Sequence, residues 1–579
     1  MATTTDWLAS NTDHGLLVAF GEFLQQHGLI QNLLDVPIKQ KTVHYAPGTK
    51  LVEFLAGILS GMEYLSDLND GPRPLAKDKV VARAWGQEAF AHYSSVSRTL
   101  DACDEQTLSA VQSAIDAFSQ PFIRSAIHEL IRTGSAIVFD LDLMGQPVSA
   151  TSTSYPQATF GWMDDRPQLG YQVARVCVTT RSQERLWLSG FHHPGDTVSS
   201  RCLQELIQAA ETQTGVRPRR RTELVEQRLT QHAQRLQRPQ RLLAQQQTKQ
   251  LQLQQTHDRL REQIWQASQT EKMPISASES ARVAKRRQAW QARLPRLEKQ
   301  LATGVRVSAQ HQAALDALGQ ERLQLQNWLN VLAADNGANP NPPICDARMD
   351  SGFGSGANLS WLIEMGYQLN TKAAGGLTTA ALRKNLPSDA VWTRVGANAD
   401  MLLCAQSHVH DCPYPVRLAL ERFKLRDTYQ YATLLQYHDD GREPNLPHWF
   451  ASYNARQIME AGNKESKSGV FHVQHLMSRS PAGIRIQVLF ASLAANTVHW
   501  SVPWLRSCAT RPTPKLLRTF DRPKHLVRVG ANSAALVQQT ATGTSLLFAP
   551  TSAVPGAILV LKGVPAFQLP LDPSFGVQN

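Results

Sequence analysis

Ile137-Val138-Phe139-Asp140-Leu141-Asp142 is the stretch on which the fold turns. Side chains of an extended strand alternate faces, so Asp140 and Asp142 project the same way, with Val138 behind them on that face. Two acids therefore reach one strand end. Like charges so placed repel, and a cation, a basic partner or open solvent must relieve them. The pair is a candidate for metal ligation. Standing alone, it is explained equally well as a solvated strand terminus.

Outward from this strand the texture stays extended at 171–180 and 185–188 and turns helical at 202–211. Strand, strand, strand, helix is the predicted order. The alternation resumes far down the chain, with a strand at 343–349, a helix at 358–365 and a strand at 367–372. Between the two halves, 219–335 is rich in Gln, Arg and Leu and carries almost no strand signal. There Leu229, Leu236 and Leu243 repeat at seven, and Leu253 and Leu260 resume after a ten-residue step, as a coiled-coil seam with a stammer would. Pro274 interrupts, and Leu315, Leu318, Leu325, Leu329 and Leu332 restore a stripe at three and four. The prediction is an α/β core carrying a long inserted helical hairpin, with the hairpin's basic residues forming its solvated face.

Further strands are predicted at 401–405, 416–423 and 429–435, then helices at 453–467 and 483–500. Short apolar runs at 526–529, 546–549 and 558–561 read as a small strand-rich appendage. Ahead of the core, 13–131 is helical: Leu51, Phe54, Leu55 and Leu59, and again Leu108, Val111, Ile115 and Phe118, recur at three and four, with a break at Gly71, Pro72 and Pro74. The predicted division is a helical N-terminal domain (1–131), a first part of the core (132–215), the coiled-coil hairpin (216–336), a second part of the core (337–376), a strand-rich insertion (377–448), a helical end of the core (449–510) and a small C-terminal region (511–579).

A chain of 579 residues exceeds what one hydrophobic core usually organises, and a net charge of +11 fits a polyanionic partner. Its seven cysteines are scattered without a CxxC pair, which argues against a disulfide scaffold or zinc ribbon and for a reducing, cytoplasmic setting. The first eight residues lack the basic flank and apolar run of an export signal. The longest apolar stretch, 484–500, contains Arg485, Gln487, Asn496 and His499, so a helix buried in protein is expected there and no membrane span.

Two more segments carry candidate chemistry. In Ile344-Cys345-Asp346-Ala347-Arg348-Met349-Asp350-Ser351-Gly352-Phe353-Gly354 an apolar strand ends in an acid and enters a glycine-rich turn, where the backbone could approach a phosphate closely. Downstream, Tyr453, Arg456, Glu460 and Lys467 stand at offsets of three, seven and fourteen, which returns each to one helical face. A carboxylate between cations suits a metal ligand beside phosphate contacts; an exposed salt-bridge ladder has the same spacing. Two aspartates and a glutamate brought together supply hard oxygen ligands for two Mg²⁺ ions about 3.5 to 4 Å apart.

Taken together, these motifs resemble the DDE transposases of bacterial insertion sequences, in the group with the signature Y-x2-R-x3-E-x6-K, present here as Tyr453, Arg456, Glu460 and Lys467. RMDSGFG, ending at Gly354, looks like the family's second-aspartate motif and VFDLD like its first, while LVEFLAGILSGMEYLSDLNDGPRPLAKD, beginning at Leu51, looks like its N-terminal region. The resemblance implies a ribonuclease-H-like core, dependence on Mg²⁺ with Mn²⁺ as a substitute, and recognition of terminal inverted repeats on double-stranded DNA. It also implies cut-and-paste transposition by a homodimer in a synaptic complex. Carried over residue by residue, Asp350 is the second acid, Glu460 the third, and Arg456, Lys467 and Tyr453 contact DNA phosphates. The family often places a threonine two positions after the first acid, whereas Leu143 and Met144 follow Asp142. Asp140 and Asp142 therefore both stand as the first acid, with Asp142 preferred. A nuclease of the same fold without strand transfer and a decayed DNA-binding scaffold are the alternatives.

Overall fold

Ile137, Val138 and Phe139 favour extended backbone, and in the computed structural model they open β1 (Ile137–Pro147), the strand around which the main sheet is built. The structure describes residues 9–564 except 42–43, 183, 275, 440–442, 523–524, 531 and 541–542. A hairpin of β2 (Thr159–Met163) and β3 (Arg166–Thr179) follows, then β4 (Arg185–Pro194). After a long interruption come β5 (Cys345–Met349) and β6 (Gln368–Lys372), then β7 (Thr393–Arg394), β8 (Ala399–His408), β9 (Pro415–Leu425) and β10 (Thr428–Tyr437). The chain is thus of mixed α/β class.

Pairing fixes the sheet. β4 lies antiparallel to β3, β3 antiparallel to β1, β1 parallel to β5 and β5 parallel to β6. The predicted insertion strands continue this sheet: β10 adds antiparallel to β6, followed by β9, β8 and β7. Helix Pro481–Cys508 packs against β4, and its apolar stretch is buried in protein as its polar residues foretold. Arg485 reaches out to Glu105 at 2.8 Å. Among the described residues no helix is long and apolar enough to cross a membrane.

Two compact units result, one comprising the chain up to Pro218 and from Pro342 onward, the other Arg219–Asn341. In the first, one hydrophobic core joins Leu16, Phe54 and Val111 of the N-terminal helices to Val173 and Trp187 of the sheet, to Phe490, and to Leu546 and Leu559 near the C-terminus. The expected N-terminal and C-terminal regions are therefore parts of this core. Ala9–Thr12 pairs with Ala535–Thr540 in a second sheet that also contains Gly543–Phe548, Ile558–Leu561 and Ala509–Arg511. The run Leu526–Gly530, expected to be extended, is a π-helical turn; Leu526 and Val527 enter the same core by that route.

The second unit is a helical hairpin, α1 (Thr222–Thr270) and α2 (Ala277–Gly337), and Ser276 caps α2 by accepting the Glu279 N–H. Buried and half-buried positions of α1 step by three and four without a break through Leu236, Pro239, Leu243, Gln246, Gln250, Leu253, His257 and Leu260. There is no stammer. Leu243 and Leu253 occupy different positions of one continuous heptad, and two glutamines fill the seam between them. His232 and His257 on the seam pair with Glu321 and Glu298 of α2 at 3.3 and 3.6 Å.

Candidate active site

Register builds the site. In the parallel pair of β1 and β5, Val138 lies beside Asp346, Asp140 beside Arg348 and Leu141 beside Met349. Asp350 follows Met349 directly, so the next step of the ladder sets it beside Asp142. Paired residues share a face of the sheet. Asp140 and Arg348 thus form an inner row; one row outward are Asp350, just past the end of β5, and Asp142, which lies at mid-length of β1 and not at the strand end that the sequence suggested, because β1 runs on to Pro147.

The two rows differ in what surrounds them. Asp140 is wholly buried; Arg348 Nε donates to its Oδ1 at 2.5 Å, Arg348 Nη2 to its Oδ2 at 2.7 Å, and Thr179 Oγ1 to Oδ2 at 3.0 Å. Both oxygens are engaged, and a planar guanidinium already supplies the neutralising charge. Asp140 is thus built into a structural ion pair, and depth separates the two candidate first acids: the Asp140 side chain is 0% exposed and that of Asp142 13%. Asp142, one row outward, accepts from Arg456 Nη2 on Oδ1 and from Asn463 Nδ2 on Oδ2, each at 2.6 Å. Burial pushes its carboxyl up to about 6; Arg456 opposes the rise, and the neighbouring charges of Asp350 and Glu460 add to it.

Asp350 sits where β5 turns into Ser351–Phe353, its Oδ1 accepting the Gly352 N–H at 2.9 Å and its carbonyl accepting from Thr371 Oγ1 at 2.9 Å. The glycines of this turn serve protein contacts. A Cβ on Gly354 would stand 2.7 Å from the Lys372 carbonyl oxygen, and one on Gly352 2.7 Å from Ser199 Oγ. Close packing of chain on chain is therefore enough to require glycine at both positions.

The segment expected as one helix, 453–467, is three pieces. α3 (Leu446–Asn454) ends before Arg456, α4 (Gln457–Lys464) begins after it, and a π-helical turn, Glu465–Gly469, carries Lys467. A common face for the four signature residues is therefore lost. Tyr453 packs into a small core with Met401, Ala419, Leu434 and Trp449, only 7% exposed, and its expected phosphate contact gives way to packing. Lys467 pairs through Nζ with Asp164 Oδ1 at 2.7 Å, on the β2–β3 turn where Asp164 and Asp165 have φ of +47° and +62°. Arg456 bridges the acids, donating from Nη2 to Asp142 and from Nη1 to Glu460 Oε1 at 2.9 Å. Burial works against its charge, but the surrounding carboxylates outweigh burial and hold its pKa above the ordinary value. Glu460 itself is half exposed.

Four supporting residues escape a motif reading. Arg175 on β3, fully buried, donates to Asn463 Oδ1 at 3.3 Å, Ser466 Oγ at 2.8 Å and Ser492 Oγ at 2.9 Å, and lies 3.4 Å over the Trp187 ring. Arg185 on β4 donates to the Ile458 carbonyl at 2.6 Å and to Glu465 at 2.8 Å. Together they fasten the Glu460 helix and the π turn to the sheet. Asn463 and Arg348 had a signal: Asn463 is seven residues after Arg456 and Arg348 two before Asp350, each the same-face offset for its element. Nothing local marks Arg175 or Arg185, whose partners come from sequence nearly three hundred residues away.

Three carboxylates against the guanidinium of Arg456 leave excess negative charge where β5 ends beside β1, and all the donors are hard oxygens. That set suits Mg²⁺ or Mn²⁺, and a divalent ion would draw the proton from Asp142. No protein-family model matches the chain, and no curated protein matches it.

Proposed function

We propose that the chain is a DDE transposase of the insertion-sequence type, cutting and joining DNA at the ends of its own element. Asp142, Asp350 and Glu460 would hold two Mg²⁺ ions, or Mn²⁺ in their place. The observation that carries this reading is that β5 ends against the middle of the parallel strand β1, which brings Asp350 toward Asp142, with Glu460 tied to Asp142 through Arg456. The strand order β4, β3, β1, β5, β6, antiparallel in its first two pairings and parallel in its last two, supports the ribonuclease-H-like core that the sequence resemblance implies. The net charge of +11 supports a duplex DNA partner. A homodimer acting on two element ends in the cytoplasm belongs to the same proposal.

Bound there, the ions would activate a water or a 3′-hydroxyl for in-line attack on a phosphodiester. The chain's own work is preorganisation. Arg456 and Asn463 fix the two oxygens of Asp142 in direction, and Arg175 holds Asn463 from behind. Lys467 places an ammonium on the turn after the Glu460 helix for a phosphate of the scissile strand.

The test is Mg²⁺-dependent excision from a supercoiled plasmid carrying the element, wild type against Glu460→Gln. Wild type is expected to release and rejoin the element, and the variant to bind DNA without cutting. Equal cutting by both removes Glu460 from the ligand set and sinks the reading; release without joining makes the chain a nuclease of this fold.

A further inference from the structure

Among the described residues two groups bring three donor atoms within 4.8 Å of one another, and neither is the carboxylate site. One, His193, Cys202 and Glu205, already contains a direct His193–Glu205 pair at 2.6 Å, which accounts for it as an ion pair on a sheet-helix contact. The other joins Glu63, near the N-terminus, to His472 and His475 in the loop after the π turn. His475 Nε2 lies 3.3 Å from Glu63 Oε1, and the Tyr64 ring meets the His475 ring edge-on at 4.6 Å.

Three features set this group apart from an ordinary histidine–glutamate pair. His472 Nδ1 is shut off from solvent and has no hydrogen-bond partner, an uncommon state for a buried ring nitrogen. Its backbone is held at φ +47°, in the left-handed region that non-glycine residues adopt mainly where the surroundings impose it. The cluster is also braced from both sides. Asp67 Oδ2 accepts the N–H groups of Glu63 and Tyr64, each at 2.9 Å, and the His475 carbonyl accepts from Gln487 Nε2 at 2.8 Å. Between the two histidines, the Val473 carbonyl accepts from Gln146 Nε2 at 2.5 Å.

We propose that Glu63, His472 and His475 form a site for one divalent transition-metal ion of the zinc class, distinct from the three carboxylates. Two imidazoles and one carboxylate select Zn²⁺, Co²⁺ or Ni²⁺ over Mg²⁺, and water completes a tetrahedron. Ligand atoms around tetrahedral zinc stand about 3.4 Å apart, so from separations within 4.8 Å the cluster needs to contract by at most about 1.4 Å. The ion would clamp the N-terminal segment to the loop whose Val473 and Gln474 N–H groups bond back to the carbonyls of Ser466 and Lys467. Gln146, on the strand that bears Asp142, holds the same loop. The role is structural, positioning the Lys467 turn, and it does not depend on what reaction the carboxylates perform.

Metal-stripped full-length protein would be titrated with Co²⁺ in excess Mg²⁺, followed by visible absorption, then displaced with Zn²⁺. One Co²⁺ per chain with a tetrahedral spectrum is expected, lost in His475→Ala and His472→Ala. Glu63→Gln should weaken it by about tenfold or more. Asp142→Asn and Glu460→Gln should leave it intact. Glu63 is an exposed residue, so the conservative Glu63→Gln keeps the test decisive even where a histidine variant misfolds. Co²⁺ binding unchanged in Glu63→Gln and His475→Ala overturns the site. A thiolate charge-transfer band also overturns it, because that signature needs a cysteine and moves the ion to Cys202. Loss of binding in Asp142→Asn instead assigns the ion to the carboxylates.

Discussion

Asp140 and Asp142 share a strand face two residues apart, and the row each occupies gives them opposite expected phenotypes. Asp140 and Arg348 are both almost fully buried and bonded to each other, so removing one partner strands the other's charge inside the protein. Arg348→Met is expected to lower stability by about 3–5 kcal/mol in denaturant unfolding, and a loss under about 1 kcal/mol would show that the pair is not a buried bridge. Asp142 behaves otherwise. Its ordinary unfolded pKa is about 3.9, and burial lifts it to about 6 in the folded chain. The folded state thus binds this proton more tightly, contributing stability that is present below about pH 4 and lost as pH rises through about 6. Divalent ion offsets that loss by taking the proton's place. Mg²⁺ should raise the melting temperature above about pH 7 and have little effect below about pH 5. Asp142→Asn should abolish the Mg²⁺ response, so that its melting temperature is the same with and without Mg²⁺. Glu53 repeats the sign without the metal: burial lifts it to about 8, against the Ala91 N–H and Lys50, which pull it down. Glu53→Gln, a mimic of the neutral acid, is expected to match wild type below about pH 4 and to exceed it by a margin that grows as pH rises to about 8 in thermal melts.

The Glu460 helix shows what an element owes to distant residues. Spacing alone reads Tyr453 to Lys467 as one face, because offsets of three, seven and fourteen close on a regular helix. Tertiary contacts break that regularity. Arg185 takes the Ile458 carbonyl, its guanidinium fills the space where a Cβ on Gly462 would stand, and Arg175 draws in Asn463 at the end of α4 and Ser466 in the π turn. Periodicity placed the core strands, the helices after them and the hairpin, since each is written in contiguous residues. It also placed both aspartates of VFDLD on one face. What it could not rank was which aspartate is open, because Arg348 and Thr179 reach Asp140 only through strand pairing. Arg175→Met tests the element. It keeps a long apolar side chain but removes the bonds to Asn463, Ser466 and Ser492, so the Glu460 helix should loosen against Asp142. Cleavage is expected to fall by about a hundredfold with DNA affinity within about threefold of wild type, since Arg175 is buried away from any ligand. Equal losses of both would mean the change is global unfolding, visible as a lowered melting temperature.

At the scale of the whole molecule the hairpin is the separable part. Its seam is closed by its own two helices, with His232 and His257 of α1 facing Glu321 and Glu298 of α2, and the unit Arg219–Asn341 is compact in itself. Its two ends also hold each other. The Arg220 N–H donates to Asn336 Oδ1 at 2.8 Å, Asn336 Nδ2 donates back to the Arg220 carbonyl at 2.9 Å, and Arg220 Nε pairs with Asp335 at 2.9 Å. A chain that leaves and returns at hydrogen-bonding distance can be closed by a few flexible residues, at a small entropic cost. Replacing 222–334 with a short Gly-Ser loop should therefore leave a folded α/β core whose melting temperature stays within about 5 °C of the parent. The Mg²⁺ response of Asp142 should persist, because every residue bonded to that carboxylate lies outside the excised segment. Light scattering on the same variant, with and without element-end DNA, reads the hairpin's own contribution: loss of a DNA-bound dimer with the core intact assigns pairing of the ends to the coiled coil. A core that fails to fold would instead mean that the hairpin is a folding partner of the α/β unit rather than an insertion into it.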